Sequence, residues 1–355
     1  MKKTVKKICV ALAAIMALSL TACGGSATSG SSTSGSGTGD AASPTGTASP
    51  EEVVKLKFAG VTSDSAKQAS ELFKEIAERE SGGSLEITLY PDNMLADDRV
   101  AIETTQFGDI DIGTSSTSPL CTMYADFYLF DSPYLFLSKQ EVYDFIDGET
   151  GKTILDGMES IGLKGLCLWE NGFRNFTNNK VAVSKPADMA TMKIRTMENE
   201  VHLAAWKALG ANPTPMAFAE VFTALQQGTI DGQENPLGII NANKFQEVQK
   251  YVSMTQHVYT PYIVCMNLDK WNSLSDNQKA AMETAVAQST TYQRQRSQEI
   301  EDEILANFES QGVSVIHLSD DEKAVFQQII TDNDIFSLVK EKMDNPQYLD
   351  AAHAK

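Results

Sequence analysis

From residue 53 the chain alternates between strand-like and helix-like patterns, and this alternation constrains the fold more than any other feature. VVKLKFAGV (53–61) is a β-rich run. Residues 64–80 place Ala69, Leu72, Phe73, Ile76 and Ala77 on one helical stripe, stopped by Ser81-Gly82-Gly83. SLEITLYP (84–91) alternates as a second strand and ends at Pro91. A helix through Val100–Phe107 stops at Gly108, and DIDIGTSS (109–116) supplies a third strand. Strand, helix, strand, helix, strand predicts an α/β fold, a parallel sheet covered by helices. In open sheets of that kind ligands meet the carboxyl ends of the strands. The run Thr114-Ser115-Ser116-Thr117-Ser118 falls at such an end, where a plain polar loop is the other reading.

The pattern resumes at LKGLCLWENGFRNFTNN (163–179). A strand over Gly165–Leu168 runs into Trp169-Glu170-Asn171-Gly172-Phe173-Arg174. A short strand with Arg195 near its end follows, then a helix carrying Val201, Ala204, Ala205, Ala208 and Leu209, stopped by Gly210. A further helix (Val221, Phe222, Ala224, Leu225) leads into GTIDGQENP (228–236). Gly228 suits the position just past a helix end. Asn235 before Pro236 favours an extended or turn conformation. Gln233, Glu234 and Asn235 are therefore expected at a rigid corner, with both arginines at strand ends and all of them able to converge on one cleft edge. By residue type alone, Arg195 could equally be a structural arginine, Phe218 a core residue and Asn235 a turn residue.

Charge and the N-terminus bound the setting. The 355 residues carry 29 Lys and Arg against 47 Asp and Glu, a net charge of −18. MKKTVKK followed by the apolar ICVALAAIMALSL reads as a signal peptide over residues 1–22, too short for a confident membrane span. Leu20-Thr21-Ala22-Cys23 resembles a bacterial lipobox, which implies that Cys23 is lipidated and ties the protein to a membrane. Without residues 1–22 the chain keeps 25 basic against 47 acidic side chains, a net charge of −22. Such a surface repels phosphate backbones and excludes nucleic acid as a partner. Residues 24–50 are Gly-, Ser- and Thr-rich and read as a flexible tether, so that residues 23–52 form the anchor and linker.

No chemistry-bearing motif emerges. After Cys9 and Cys23 are set aside, Cys121, Cys167 and Cys265 are an odd three in apolar runs, expected as buried free thiols. His202, His257, His317 and His353 show no metal-ligand spacing. There is no phosphate loop, no GxSxG and no sign of a cofactor or metal.

The stretch RNFTNN…MKIRTMENEVHLAAWKALGANPTPMAFAEVFTALQQGTIDGQENP…KFQEVQKY, with SGGSLEITLYP, FDSPYLF and GDIDIG, resembles the DctP-type solute-binding subunits of TRAP (tripartite ATP-independent periplasmic) transporters. The resemblance covers residues 53 to about 340. It implies a two-domain periplasmic-binding-protein-like fold with a ligand cleft and hinge segments. It also implies that Arg195 forms a two-pronged salt bridge with a ligand carboxylate, which suits a planar guanidinium. Asn235 would donate its amide to the same carboxylate, Arg174 would be a second cleft arginine, and Phe218 would pack on the ligand. Trp169, Tyr262 and Ser116 complete the expected site.

Residues 276–311 read as one long helix without Pro or Gly, apolar at both ends (Ala281, Met282, Ala285, Val286; Ile300, Ile304, Leu305, Phe308) and polar over Gln288–Glu299. A helix that packs at both ends and not between is expected to cross between domains, and family members close by a hinge. The expected domains are 53–171 plus about 261–290, and 172–260 plus about 300–345. The function expected from the resemblance is a monomeric, exported, lipid-anchored receptor that captures a small organic acid and delivers it to the small and large membrane subunits of a permease. A sugar acid such as a uronate is favoured, with Trp169-Glu170 and Thr62-Ser63-Asp64 as hydroxyl partners. The alternatives are a receptor that feeds a sensor, and an α/β enzyme acting on sugar acids, for which Glu170 is the only obvious acid or base.

Overall fold

The computed structural model describes residues 51–353, so the expected signal peptide, Cys23 and tether lie outside the described residues. The elements run Val54–Ala59 (β1), Asp64–Glu80 (α1), Leu85–Tyr90 (β2), Asp98–Phe107 (α2) and Ile112–Ser116 (β3). Lys139–Ile146 (α3), Glu149–Gly157 (α4) and Leu163–Asn178 (β4) follow. Next come Lys193–Thr196 (β5), Glu200–Ala208 (α5), Asn212–Pro215 (β6), Val221–Gln227 (α6), Gly232–Pro236 (β7) and Leu237–Ala242 (α7). Tyr251–Met254 (β8), Tyr259–Asn267 (β9), Leu268–Ser273 (α8) and Asp276–Ser310 (α9) lead to Ser314–His317 (β10), Asp320–Asp332 (α10), Ile335–Lys342 (α11) and Gln347–His353 (α12).

The helix ends are set by local chemistry. Ser63 caps α1 by accepting from the Ala66 amide, and Asp97 caps α2. Gly108 and Gly228 end α2 and α6 at φ 87 and 68, the left-handed conformation that glycine adopts without Cβ strain. Ser275 and Gln278 form a reciprocal capping box at the start of α9.

The strands hydrogen-bond in the order β2-β1-β3-β9-β4-β7-β5-β6, with β8 on β4 and β10 on β8. The parallel pairing expected from the alternation holds for β1 with β2 and with β3. It recurs for β5 with β6 and β7 and for β10 with β8, but β9 lies antiparallel between β3 and β4, so the sheet is mixed. β4 is one strand of 16 residues rather than a short strand that ends near Leu168. Its first part pairs with β9 and its second with β7 and β8. Between them the register shifts at Glu170/Gly172, and Gly172 adopts φ 113, so the strand bends where another residue would be strained. Arg174 is consequently mid-strand, and not at a strand end as expected.

Side chains of the shared strands alternate between two buried clusters. Along β9, Ile263 and Cys265 join one cluster, and Tyr262, Val264 and Met266 join the other, so the clusters lie on opposite faces. Cys121, Cys167 and Cys265 are free and buried, as their apolar settings predict.

α9 lies in the second cluster and packs on α1, β4, α7 and β10. Its centre corrects the expectation of a helix that packs only at its ends. Ser289, Gln293 and Ser297 are buried, and Gln293 accepts from the Glu170 amide at 2.8 Å and donates to the Glu170 carbonyl at 2.7 Å. A polar centre can pack when its side chains satisfy backbone groups freed at a strand bend.

Candidate functional site

Two buried arginines face a common cavity from different strands, in opposite states of pairing. Arg174 on β4 grips Glu234 of β7 with Nε (2.5 Å) and Nη2 (2.9 Å). Its Nη2 also donates to the Glu234 carbonyl at 2.6 Å and to Asn235 Oδ1 at 3.0 Å. His257 Nε2 lies 3.0 Å from the same Glu234 carboxylate, and Thr255 Oγ1 lies 2.8 Å from His257 Nδ1. Although burial pushes Glu234 up, Arg174 and His257 hold it well below the usual carboxylate range. Burial pushes His257 down against the pull of Glu234, which keeps the imidazole neutral near pH 7.

Arg195 on β5 gives Nε (2.9 Å) and Nη2 (2.7 Å) to one backbone carbonyl, that of Met216. Its Nη1 is buried and meets no acceptor among the described residues. Burial, and the charge of Arg174, lower Arg195 to about 10, partly offset by Glu234 and Asp98. The group remains a cation near pH 7 with one donor edge uncommitted. Phe218, just before α6, sits under this guanidinium, its ring centroid 5.9 Å away.

The cavity is open to solvent on one side, and the space between its walls, with the solvent at its mouth included, is about 310 Å³. Besides Arg174, Arg195 and Phe218 it is lined by Asn235, by Ser116 at the end of β3 and by Tyr262 on β9. Ser116 and Tyr262 are register partners, and the Tyr262 hydroxyl meets Thr62 Oγ1 at 3.0 Å. Thr62, Asn171 and Asp98 also reach the wall, with Met197 and Ile239 supplying apolar surface. Asn171 Oδ1 is a buried acceptor without a donor among the described residues. Burial, and Asp97 beside it, push Asp98 up to about 7 against the pull of Arg195 and Arg174. The wall thus pairs an uncommitted cationic donor with one unsatisfied acceptor, a combination suited to a hydroxylated anion.

Residues 58–333 match the profile described as bacterial extracellular solute-binding protein, family 7 (DctP). The chain belongs to the DctP family. It is 36% identical over 263 residues to the 2,3-diketo-L-gulonate-binding periplasmic protein YiaO of Escherichia coli K12, covering 74% of this chain and 80% of that one. It is 32% identical to the C4-dicarboxylate-binding periplasmic protein DctP of Rhodobacter capsulatus, covering 79% and 85%. Among solved structures it resembles the sugar acid binding protein DctPAm of Advenella mimigardefordensis in complex with galactonate, with TM-score 0.81, 34% identity, and 86% and 99% coverage. DctP-family proteins are the extracytoplasmic solute receptors of TRAP transporters and are not enzymes. No helix among the described residues is long and apolar enough to cross a membrane.

Within this DctP-family fold the structure brings Arg195, Asn235, Arg174, Phe218, Tyr262 and Ser116 to one cavity. Trp169 does not line it. Its side chain turns to the face shared with α9, where the indole packs against Phe58 and donates to Thr290 Oγ1 at 3.1 Å. Glu170 is also drawn away, into an ion pair with Lys139 at 2.7 Å and a hydrogen bond from Tyr143. Neither is therefore placed as a hydroxyl partner. Of the other suggested partners, Thr62 lines the cavity, whereas Ser63 caps α1.

The expected Gln-Glu-Asn-Pro corner is instead strand β7, fully buried, with Pro236 as its last residue and the cap position of α7. The Asn235 amide is engaged by Gln233 Oε1 at 2.5 Å, so its free proton alone is available for a ligand. Sequence reasoning missed Asp98, Asn171, Met197 and Ile239 as wall residues, and the role of Glu234 and His257 behind Arg174. A signal for Asp98 was present: two acids at a helix start, of which a cap needs one. Nothing in the chain order joins His257 to Glu234.

Proposed function

We propose that this receptor binds a sugar acid, of the uronate or aldonate class, with the ligand carboxylate on Arg195. The observation that carries the reading is the buried, uncommitted Nη1 of Arg195 in a wall that also holds the unsatisfied Asn171 Oδ1. A carboxylate meets the first need and a ligand hydroxyl the second. Asn235 adds an amide donor, Phe218 an apolar face, and Ser116, Tyr262 and Thr62 hydroxyl contacts. Galactonate in one solved relative and 2,3-diketo-L-gulonate in the name of another support the class. A thermal-shift screen of organic acids tests it, because a ligand that binds only the native state raises the melting temperature by mass action. Stabilisation by C4-dicarboxylates with none by any sugar acid would defeat the reading.

The receptor works as a monomer that closes between the portions 53–171 plus about 261–290 and 172–260 plus about 300–345, about the Gly172 bend and α9. It then delivers its ligand to the small and large permease subunits. Closure requires contacts from both portions, because a ligand shifts a conformational equilibrium only by its differential affinity. X-ray scattering should show a smaller radius of gyration with ligand than without. Anchoring rests on lipid at Cys23, and Cys23→Ala should release the protein from the membrane or leave its precursor uncleaved.

A further inference from the structure

The cavity holds a carboxyl that the carboxylate anchor leaves unused. Asp98 is the first residue of α2, beside the capping Asp97, and it lines the same wall as Arg174 and Arg195. The charges of the cavity can be paired off. Arg174 is neutralised within the protein by Glu234. Arg195 and Asp98 remain, one positive and one negative when Asp98 is ionised. A ligand carboxylate on Arg195 then leaves Asp98, which is half-buried, as an excess negative charge at the cavity wall, which favours its protonated form.

We propose that Asp98 takes up a proton when an anionic ligand binds, and that it selects against a second ligand carboxylate while it is ionised. The inference rests on the reading of Arg195 as the carboxylate anchor. The groups facing Asp98 support it. Asp97, in the same turn, repels the ionised form, whereas Arg195 on β5 and Arg174 on β4 favour it. Tyr262 on β9 is pushed up by burial and stays neutral. Arg99 and Glu103 of α2 pair with each other on the exposed side. In the free protein these influences leave Asp98 titrating at about 7, and a carboxylate seated on Arg195 offsets the first of the two downward pulls.

The sign follows from proton linkage. Below the free-state value the proton is already in place and affinity is insensitive to pH. As the pH rises through about 7, affinity falls by up to about tenfold per unit, until the bound-state value is passed. A dicarboxylate suffers more than a monocarboxylate because it brings a second charge towards Asp98.

The test is titration calorimetry with D-galactonate and with succinate between about pH 5.5 and 8.5, in two buffers of different ionisation enthalpy. The parent should bind D-galactonate with net proton uptake and weaken about tenfold or more across the upper half of that range. Asp98→Asn should bind with a flat pH profile and no uptake, and should gain succinate affinity relative to D-galactonate at the alkaline end. A parent profile that is flat and free of proton uptake overturns the proposal, as does an Asp98→Asn profile with the parent's slope. Arg195→Lys at the acid end separates the two readings. If it binds like the parent, the anchor is misplaced. If it binds poorly while the parent profile is flat, only the proton linkage fails. If neither probe binds the parent at any pH, this inference falls, while the sugar-acid reading is decided by the thermal-shift screen across uronates and aldonates.

Discussion

Arg174 and Arg195 carry the same side chain, line the same cavity and are almost equally buried, at 0% and 3% exposure, yet they do different work. Arg174 is surrounded by acceptors from its own fold, with Glu234 in a two-pronged pair and His257 behind it. Arg195 has one backbone carbonyl and an uncommitted nitrogen. A buried charge that is neutralised internally belongs to the framework, and removing its partner leaves an uncompensated ion. A buried charge with an open donor is stabilised further by whatever anion enters. The difference lies in the neighbours, because β7 places a glutamate beside β4 and none beside β5.

Four changes sharpen or break this contrast. The largest effect is expected for Glu234→Ala, which strands Arg174. Breaking a buried pair costs about 3–5 kcal/mol, so urea unfolding should show a loss of that order, with ligand affinity falling as well. A loss below about 1 kcal/mol would mean that Arg174 is solvated and not locked.

Arg195→Lys comes next and should act on binding rather than folding. Truncating one side of a buried charge pair costs about 2–5 kcal/mol, or about 30- to 4,000-fold in Kd. The lysine keeps the charge and loses the two-pronged geometry. If calorimetry finds binding within about twofold of the parent, Arg174 becomes the anchor and the contrast inverts.

Asn235→Ala removes an acceptor of Arg174 and a donor to the cavity together. Hydrogen bonds to charged groups are worth about 1.5–3 kcal/mol, so stability and affinity should both fall, each by no more than that range. An effect on only one of them would assign Asn235 wholly to the framework or wholly to the site.

Trp169→Phe should be the mildest for binding. It deletes the bond to Thr290 and costs about 1 kcal/mol of stability, with ligand affinity unchanged. A clear loss of affinity in a well-folded variant would return Trp169 to the site.

Much of the fold was legible because local chemistry and final structure agree. The apolar stripe of α1, the glycine ends of α2 and α6 and the uninterrupted α9 each follow from short-range patterns. The wall positions of Ser116 and Arg195 followed from strand order together with the family resemblance. What failed, failed at β4. Its residues read locally as a short strand and a loop, because Gly172 and the polar Glu170 and Asn171 interrupt the apolar run. In the fold β9, β7, β8 and the Gln293 side chain supply the missing hydrogen bonds, so the strand continues through the bend. Trp169 was misplaced for a different reason: it shares a sheet face with its register partner Tyr262, which does line the cavity, but its indole is taken up by Phe58 and Thr290.

The sequence by itself determined the family, the α/β alternation, the acidic balance of the chain, and the two arginines as the charges to watch. These depend on residue type and on spacing within one element, which the chain order records directly. Only the tertiary structure decided which arginine is neutralised and which is open, that Glu234 and His257 stand behind Arg174, and that Asp98 shares the cavity. Those facts join residues 60 or more positions apart in the cases of Arg174 with Glu234 and of Asp98 with the arginines. A buried charge takes its state from the charges and dipoles packed within a few ångströms of it, and it is the folded chain that sets those distances.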